Sequence, residues 1–202
     1  MKLVAGLGNP GERYRATRHN VGFAVVDGLV ARQGLAFETG TADALETKWR
    51  VAGDVVLLVK PLTFMNVSGE AVAALCRYYR IGAPDILIVC DDVNLPLGRL
   101  RIRANGSEGG HNGLRSIAEH LGTIEYARLR IGVGRGDARR DLSDHVLARF
   151  ASDEQTAIDA AVGRSLDAVE MWVERGTEPV MNAFNRAPEE SQEGKSDDIS
   201  EP

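Results

Sequence analysis

Short apolar runs recur along the chain and alternate with stretches of helical periodicity. Four of these runs predict buried central strands, because each is short and almost continuously apolar. They are Leu3 to Leu7, Val55 to Val59, Ile86 to Cys90 and Leu129 to Val133. Runs of this kind between helical patterns are typical of an α/β domain. We therefore expect a single α/β domain with a mixed twisted sheet flanked by helices.

Two further segments predict strands outside the central four. Leu45 to Ala52 alternates more regularly and precedes Gly53 and Asp54, so we expect it to form a hairpin with the following apolar run. Gly98 to Arg103 alternates apolar residues with arginines, which predicts a strand with one basic face turned towards solvent. These two strands complete the predicted mixed sheet.

Helical periodicity fills the intervals between the strands. Val21 to Arg32 follows Asn20, a common N-cap residue, and stops before Gly34, which suits the end of a helix. Three more helices are predicted from the spacing of apolar residues. They are Ser68 to Arg80, Gly113 to His120 and Asp153 to Glu174. We therefore expect one domain over residues 1–186, and residues 187–202 form a separate acidic segment.

Composition excludes several classes of protein. With 44% hydrophobic and 26% charged residues, the 202-residue chain has a globular composition. No apolar run approaches the roughly 20 residues that a membrane-spanning helix requires, and the N-terminal residues lack the pattern of a signal peptide. We therefore expect a soluble cytoplasmic protein without a membrane partner. Cys76 and Cys90 lie in apolar segments and are expected to be reduced core residues.

The formal net charge of −5 is unevenly distributed along the chain. Ala187 to Pro202 holds six acidic residues and one lysine, and we expect disorder there because the segment has little to bury. Leu97 to Arg140 contains nine arginines and four acidic residues. Such a basic field indicates a polyanionic partner such as RNA, although local ion pairs on a solvated face explain it equally well.

Four polar loops follow predicted strands, which is where ligands bind in open α/β sheets. If the loops converge, one crevice holds an imidazole, a carboxylate and several amides. Each polar residue also has a simpler structural explanation, since Asn20, Asn66 and Asn112 stand at predicted helix starts and are suited to capping. The loops are Gly8 to Asn20, Thr63 to Asn66, Asp91 to Asp92 and Gly109 to Gly113.

The stretch Gly6 to Gly11, GLGNPG, has the spacing of a dinucleotide-binding fingerprint. A Rossmann site requires the third glycine to open a helix and an acidic residue about twenty positions later at the end of a second strand. Here the loop stays polar through Asn20 and Asp27 falls inside a helix, so nicotinamide or flavin binding is disfavoured. No cluster has zinc-ligand spacing, and Cys90 has no activating base nearby in sequence. We therefore expect no metal and no cofactor.

An ordered set of motifs resembles the bacterial peptidyl-tRNA hydrolase family. GLGNPG is followed by Tyr14 and by TRHN at Thr17 to Asn20. The resemblance covers residues 1 to about 186, with one departure at Asn94, where the family often has an acidic residue. The later matching blocks are FMNVSG from Phe64, DDVNLPLG from Asp91, GGHNGL from Gly109 and RLRIG from Arg128.

The resemblance implies a monomeric, cofactor-free hydrolase of peptidyl-tRNA that needs no obligate protein partner and recycles tRNA from stalled or dropped-off translation. It also implies that His19 is the catalytic base, that Asp91 is its partner and that Asn9 binds substrate at the scissile ester. Further substrate or tRNA contacts are implied for Tyr14, Phe64, Met65, Asn66 and Asn112. The basic field makes Arg103 and Arg130 our candidates for phosphate contacts.

Elementary chemistry agrees with these roles. A histidine, with a reference pKa of ~6.5, can take a proton from water near neutral pH, and a carboxylate on its other nitrogen fixes the tautomer. We therefore expect direct attack by water without a serine nucleophile. Two alternatives stay open: an RNA-binding relative without turnover, and a dinucleotide-dependent oxidoreductase.

Overall fold

Seven strands form one mixed sheet in the computed structural model, which describes residues 1–51, 53–136 and 141–186. The strands run β2-β3-β4-β1-β5-β7-β6 across the sheet, with β4, β1, β5 and β7 parallel to one another. Antiparallel strands lie at both edges. They are β1 (Lys2–Gly6), β2 (Glu38–Thr39), β3 (Ala44–Val51), β4 (Asp54–Pro61), β5 (Ile86–Asp92), β6 (Leu100–Arg103) and β7 (Ala127–Gly132).

The four predicted central strands are the four parallel strands. The predicted hairpin is β3 and β4, whose register pairs Val51 with Asp54. β6 alternates buried Leu100 and Ile102 with exposed Arg101 and Arg103, as its sequence predicted. The two-residue strand β2 was not predicted, because a pair of polar residues carries no strand pattern.

The described ranges contain six α-helices, of which five pack on the sheet, while α4 lies against the 3-10 turn that carries His19. The four predicted helices are present, with ends within two residues of those predicted, while α4 and α6 were not predicted. α1, α5 and α6 cover one face of the sheet, and α2 and α3 cover the other. The helices are α1 (Val21–Arg32), α2 (Ser68–Tyr79), α3 (Asn112–Leu121), α4 (Leu142–Leu147), α5 (Gln155–Arg175) and α6 (Thr177–Phe184).

Glycines allow α1 to begin in direct contact with the central strands. A Cβ at Gly22 would lie 2.4 Å from the carbonyl oxygen of Val89 in β5 and 2.5 Å from the backbone nitrogen of Leu7. Real Cβ atoms essentially never show such distances. The loop before α1 is thereby held against the carboxyl ends of β1 and β5.

Three other expectations from the sequence concern the cysteines, membrane-spanning helices and the C-terminal segment. Cys76 and Cys90 are buried free thiols, as expected. Among the described residues, no helix has the length and apolar character needed to cross a membrane. The predicted disorder of residues 187–202 concerns a segment outside the described ranges.

Candidate active site

A cavity of about 600 Å³ opens at the carboxyl end of the parallel strands. His19 reaches it from a single 3-10 turn that directly precedes α1. Asp91 reaches it from the end of β5, and His111 from the N-cap position of α3. The loops that were predicted to converge therefore meet at one site, and residues from each of the four line it.

His19, Asp91 and His111 form a hydrogen-bonded cluster. The Nδ1 atom of His19 lies 2.7 Å from Oδ1 of Asp91, and Nε2 of His111 lies 3.1 Å from the same oxygen. The Asp91 side chain is 3% exposed. Burial acts to raise the pKa of Asp91, but attraction to the His111 imidazole and hydrogen bonds from both histidines outweigh it and hold that pKa below its usual range.

The neighbours of each ring determine which nitrogen carries the proton. Nδ1 of His111 accepts a hydrogen bond from the backbone N–H of Leu114, so neutral His111 carries its proton on Nε2 and donates it to Asp91. Ionised Asp91 also accepts the proton on Nδ1 of His19. Nε2 of His19 is then the basic nitrogen of a ring that lines the cavity.

Asn9 is fixed by the side chain of Asn20 and by the backbone N–H of Met65. The side chain of Asn20 accepts from the Asn9 backbone N–H at 2.8 Å and donates to the Asn9 carbonyl at 2.9 Å. The Asn9 side-chain oxygen accepts from the backbone N–H of Met65 at 2.8 Å. The two N–H donors of the Asn9 amide are therefore left for a ligand in the cavity. Asn20 occupies the N-cap position of α1, as predicted, but its side chain makes no capping bond to the helix.

Asn66 and Asn112 are exposed and line the same cavity. Neither caps a helix through its side chain, because the N-cap residues of α2 and α3 are Val67 and His111. The amide groups of both asparagines form no side-chain hydrogen bond with the described residues, so they are available to a bound molecule.

Aromatic and thioether side chains form the apolar part of the site. Phe64 is 51% exposed, and its ring meets that of Tyr14 edge to face with 6.4 Å between centroids. Met65 is buried at 4% exposure and lines the cavity with Phe64. The structure thus brings Phe64 and Met65 to the cavity and places Tyr14 beside it.

The two predicted phosphate-binding arginines have different surroundings. Arg130 lines the cavity, and its guanidinium is held by Asp92 at 3.1 Å and by the carbonyl of Ser107 at 2.7 Å. Arg103 is exposed on β6 and forms no ion pair with the described residues. Arg103 is therefore the freer of the two to bind an external phosphate.

Contacts of the neighbouring residue Arg18 hold the turn that carries His19. Arg18 is 7% exposed and donates to Glu154 at 2.7 Å, and its backbone N–H bonds the carbonyl of Ala148. The Arg18 guanidinium also lies 4.7 Å from the ring centroid of Phe150. These contacts restrict the backbone next to His19.

The same cluster contains the groups that would hold a metal ion. His19, Asp91 and His111 each offer one ligand atom, and these atoms lie within 4.8 Å of one another. A zinc ion binds imidazole nitrogen at ~2.0–2.1 Å, so both hydrogen bonds to Asp91 would have to be replaced by bonds to the ion. The arrangement as it stands is suited to holding protons.

Sequence reasoning missed His111 and Asn20 as members of the site. Their motifs were recognised, but the side chains had no assigned partner. His111 immediately follows two glycines and precedes a helix, which is the available signal for a side chain at a helix N-terminus. Its contact with Asp91 joins residues 20 positions apart and depends on the packing of α3 beside β5.

Comparisons with known proteins agree on one family. Residues 3–193 match the family model described as peptidyl-tRNA hydrolase. The peptidyl-tRNA hydrolase of Chloroflexus aurantiacus is 48% identical over 186 residues, covering 92% of this chain and 99% of that protein. The enzyme of Geobacillus kaustophilus is 47% identical over 185 residues, covering 92% and 100%. A crystal structure of peptidyl-tRNA hydrolase from Acinetobacter baumannii superposes with a TM-score of 0.86 at 35% identity, covering 92% of this chain and 94% of the other.

Proposed function

The chain belongs to the peptidyl-tRNA hydrolase family and is an enzyme that acts on the ester bond of peptidyl-tRNA, and we propose that His19 is its general base. The observation that carries this proposal is the 2.7 Å contact between Nδ1 of His19 and buried Asp91. It leaves Nε2 of a cavity-lining histidine as the basic nitrogen.

In the proposed reaction, water attacks the carbonyl carbon of the ester while Nε2 of His19 takes one of its protons. The tetrahedral intermediate then collapses, the bond to the ribose oxygen breaks, and the protonated imidazole returns a proton to that oxygen. Asp91 stabilises the imidazolium through Nδ1, and His111 keeps Asp91 ionised through its own hydrogen bond. Positioned general-base catalysis typically contributes ~10² to 10⁴ in rate.

Asn9 is our candidate for binding the ester or the adjoining peptide group. The Met65 N–H donates to the side-chain oxygen of Asn9, so the side-chain amide of Asn9 presents its N–H donors to the cavity. Donors of this kind stabilise a developing oxyanion. Asn66 and Asn112 supply further amides for the peptide backbone, which discriminates against a free aminoacyl group because its charged ammonium would leave those amides unpaired.

The tRNA part of the substrate is expected to meet aromatic and basic groups. The exposed ring of Phe64, braced by Tyr14, offers a surface on which a terminal base can stack, and Met65 lines the cavity beside it. Arg103 supplies a phosphate contact, and Arg130 faces the cavity while it also holds Asp92. We further propose that the enzyme acts as a cytoplasmic monomer without an obligate protein partner.

The test is peptide release from an N-blocked aminoacyl-tRNA by the wild type and by His19→Ala. We expect the wild type to cleave the blocked substrate and not the free aminoacyl-tRNA, and the variant to lose at least about a hundredfold in kcat/KM. His120→Ala is the matched control, since among the described residues His120 bonds the Ser116 carbonyl on α3 and does not line the cavity. Wild-type binding of tRNA without release would favour the alternative of a binding protein without turnover, and unchanged activity in His19→Ala would refute the assigned base.

A further inference from the structure

Four arginines face one another across the last two strands of the sheet. In the antiparallel register of β6 and β7, Arg101 lies opposite Arg130 and Arg103 lies opposite Arg128. The alternating residues of both strands, such as Ile102, point to the core beneath α5 and α6. Like charges placed directly opposite each other destabilise a sheet, so this face requires compensating negative groups.

The positive charges of the two arginines on β7, Arg128 and Arg130, are compensated within the protein. Arg128 is 1% exposed and donates to the carbonyl groups of Ser107 and Ile124 at 3.2 and 2.8 Å, and also to that of Gly106. Arg130 donates to Asp92 and to carbonyl groups of the same loop. These charges therefore face oxygen atoms that belong to the described chain.

The positive charges of the two arginines on the edge strand β6 are not compensated in this way. Arg101 and Arg103 are exposed, and neither forms an ion pair or a side-chain hydrogen bond with the described residues. Both project from the edge strand on the face of the sheet opposite α5 and α6. This face is an exposed site for an anionic group.

The chain leaves the described domain at this same strand. The side chain of Asn185 accepts from the backbone N–H of Ile102 at 2.7 Å and donates to its carbonyl at 3.0 Å. Arg99 donates to the carbonyl oxygen of Asn185. Asn185, the second-last described residue, is therefore held at the outer edge of β6, beside the residue that separates Arg101 from Arg103.

The segment that follows carries the complementary charge. Residues 187–202 contain six acidic residues and one lysine. Glu189 and Glu190 are the third and fourth residues after Arg186, within about 14 Å of extended chain. A segment tethered so close to its target has an effective concentration on the order of millimolar, so weak charge pairing is sufficient to occupy the site.

We propose that residues 187–202 bind in cis to the exposed Arg101 and Arg103 face and compete there with tRNA phosphates. The competition rests on the proposed function, whereas the docking rests only on the charges and the exit point of the chain. An RNA held by phosphate contacts alone would be displaced, while a substrate that also fills the cavity would displace the segment. The segment would therefore favour substrates over non-specific RNA.

The experiment uses full-length protein with four tail charges neutralised. The probe is a labelled RNA hairpin that copies an acceptor stem with a CCA end, and its binding is measured by fluorescence anisotropy at low and high salt. The control removes the same number of charges from exposed residues elsewhere in the domain. The tail variant is Glu189→Gln, Glu190→Gln, Asp197→Asn and Asp198→Asn, and the control is Glu38→Gln, Asp43→Asn, Glu70→Gln and Asp85→Asn.

We expect the tail variant to bind the hairpin about threefold to tenfold more tightly than the wild type at low salt, and the gain to vanish at high salt. The control should change binding less than twofold. In an Arg101→Gln, Arg103→Gln background the tail substitutions should have no effect. An equal gain in the control, or a gain that persists in this background, would overturn the proposal in favour of a general effect of net charge.

A second readout separates docking from RNA binding. A labelled peptide with the sequence of residues 187–202 should bind the tail variant at low salt and lose at least threefold in affinity when Arg101 and Arg103 become glutamine. Absence of this peptide binding refutes the docking whatever the RNA does. If the peptide binds but the hairpin does not, the docking stands and the proposed tRNA contact fails.

Discussion

Replacing His111 by asparagine tests whether that residue supports Asp91. Asparagine is a good N-cap residue, so it can still accept from the Leu114 N–H, but it is too short to bond Asp91. The variant therefore loses one hydrogen bond to a buried carboxylate and keeps the helix cap. A hydrogen bond to a charged group contributes ~1.5–3 kcal/mol, so we expect the free energy of unfolding to fall by that amount near neutral pH.

The loss should depend on pH in a defined direction. The pKa of Asp91 is lower in the folded protein than its unfolded reference value of ~3.9, so its contribution to stability is present above that value and is lost as the pH falls through the folded pKa. Removing His111 raises the folded pKa. The difference in stability between wild type and variant is thus full near neutral pH and shrinks only as the pH falls through the folded pKa of Asp91 in the variant and then through that in the wild type.

The assay is urea unfolding at a series of pH values, with kcat/KM for an N-blocked aminoacyl-tRNA measured in parallel. We expect a loss of about tenfold in kcat/KM, smaller than that of His19→Ala, because Asp91 keeps its bond to His19. His111→Ala should lose a further ~1 kcal/mol of stability through the missing cap. A variant as stable as the wild type near neutral pH would refute the assigned role.

Three other predictions use the same structure. Asp91→Asn should stay folded but lose about 10³–10⁴ in kcat, since an amide does not hold His19 in the basic tautomer, and steady-state kinetics with circular dichroism will check this. Gly22→Ala should lower the free energy of unfolding by more than ~3 kcal/mol, because its Cβ would meet the Val89 carbonyl at 2.4 Å, and urea unfolding measures the loss. Burial raises the pKa of Cys76 to about 11 and that of Cys90 further, so a thiol reagent should label neither in the native protein and both in denaturant.

The sequence predicted the central architecture because local patterns specify it. Apolar runs such as Ile86 to Cys90 are buried on both faces in the folded sheet, and periodicity alone located α1, α2, α3 and α5. α4 was missed because its six residues bury no side chain, so no apolar stripe marks it. α6 was missed for a different reason, since its eight residues follow α5 directly through Gly176 and bury only Val180.

The candidate site could be predicted only to the level of its motifs. The resemblance to a family pointed to His19 and Asp91, and the structure places them 2.7 Å apart although 72 residues separate them in sequence. Contacts that depend on tertiary packing could not be predicted from the sequence. Asn20 was interpreted as a helix cap, but its side chain bonds the backbone of Asn9. Local sequence cannot distinguish these roles, because an asparagine at a helix start suits both.

The adjacent residues Asp91 and Asp92 at the end of β5 bond different groups. Successive residues of a strand point to opposite sides, and here Asp91 bonds the two histidines while Asp92 bonds Arg130 and the backbone N–H of Asn94. Asp92 thereby offsets one charge of the arginine face next to the catalytic cluster. Since its side chain is 6% exposed, loss of Arg130 would leave a buried carboxylate without its ion pair. An effect of Arg130 on RNA binding is therefore inseparable from the integrity of the site, whereas exposed Arg103 forms no ion pair with the described residues and can be replaced without disturbing the catalytic cluster.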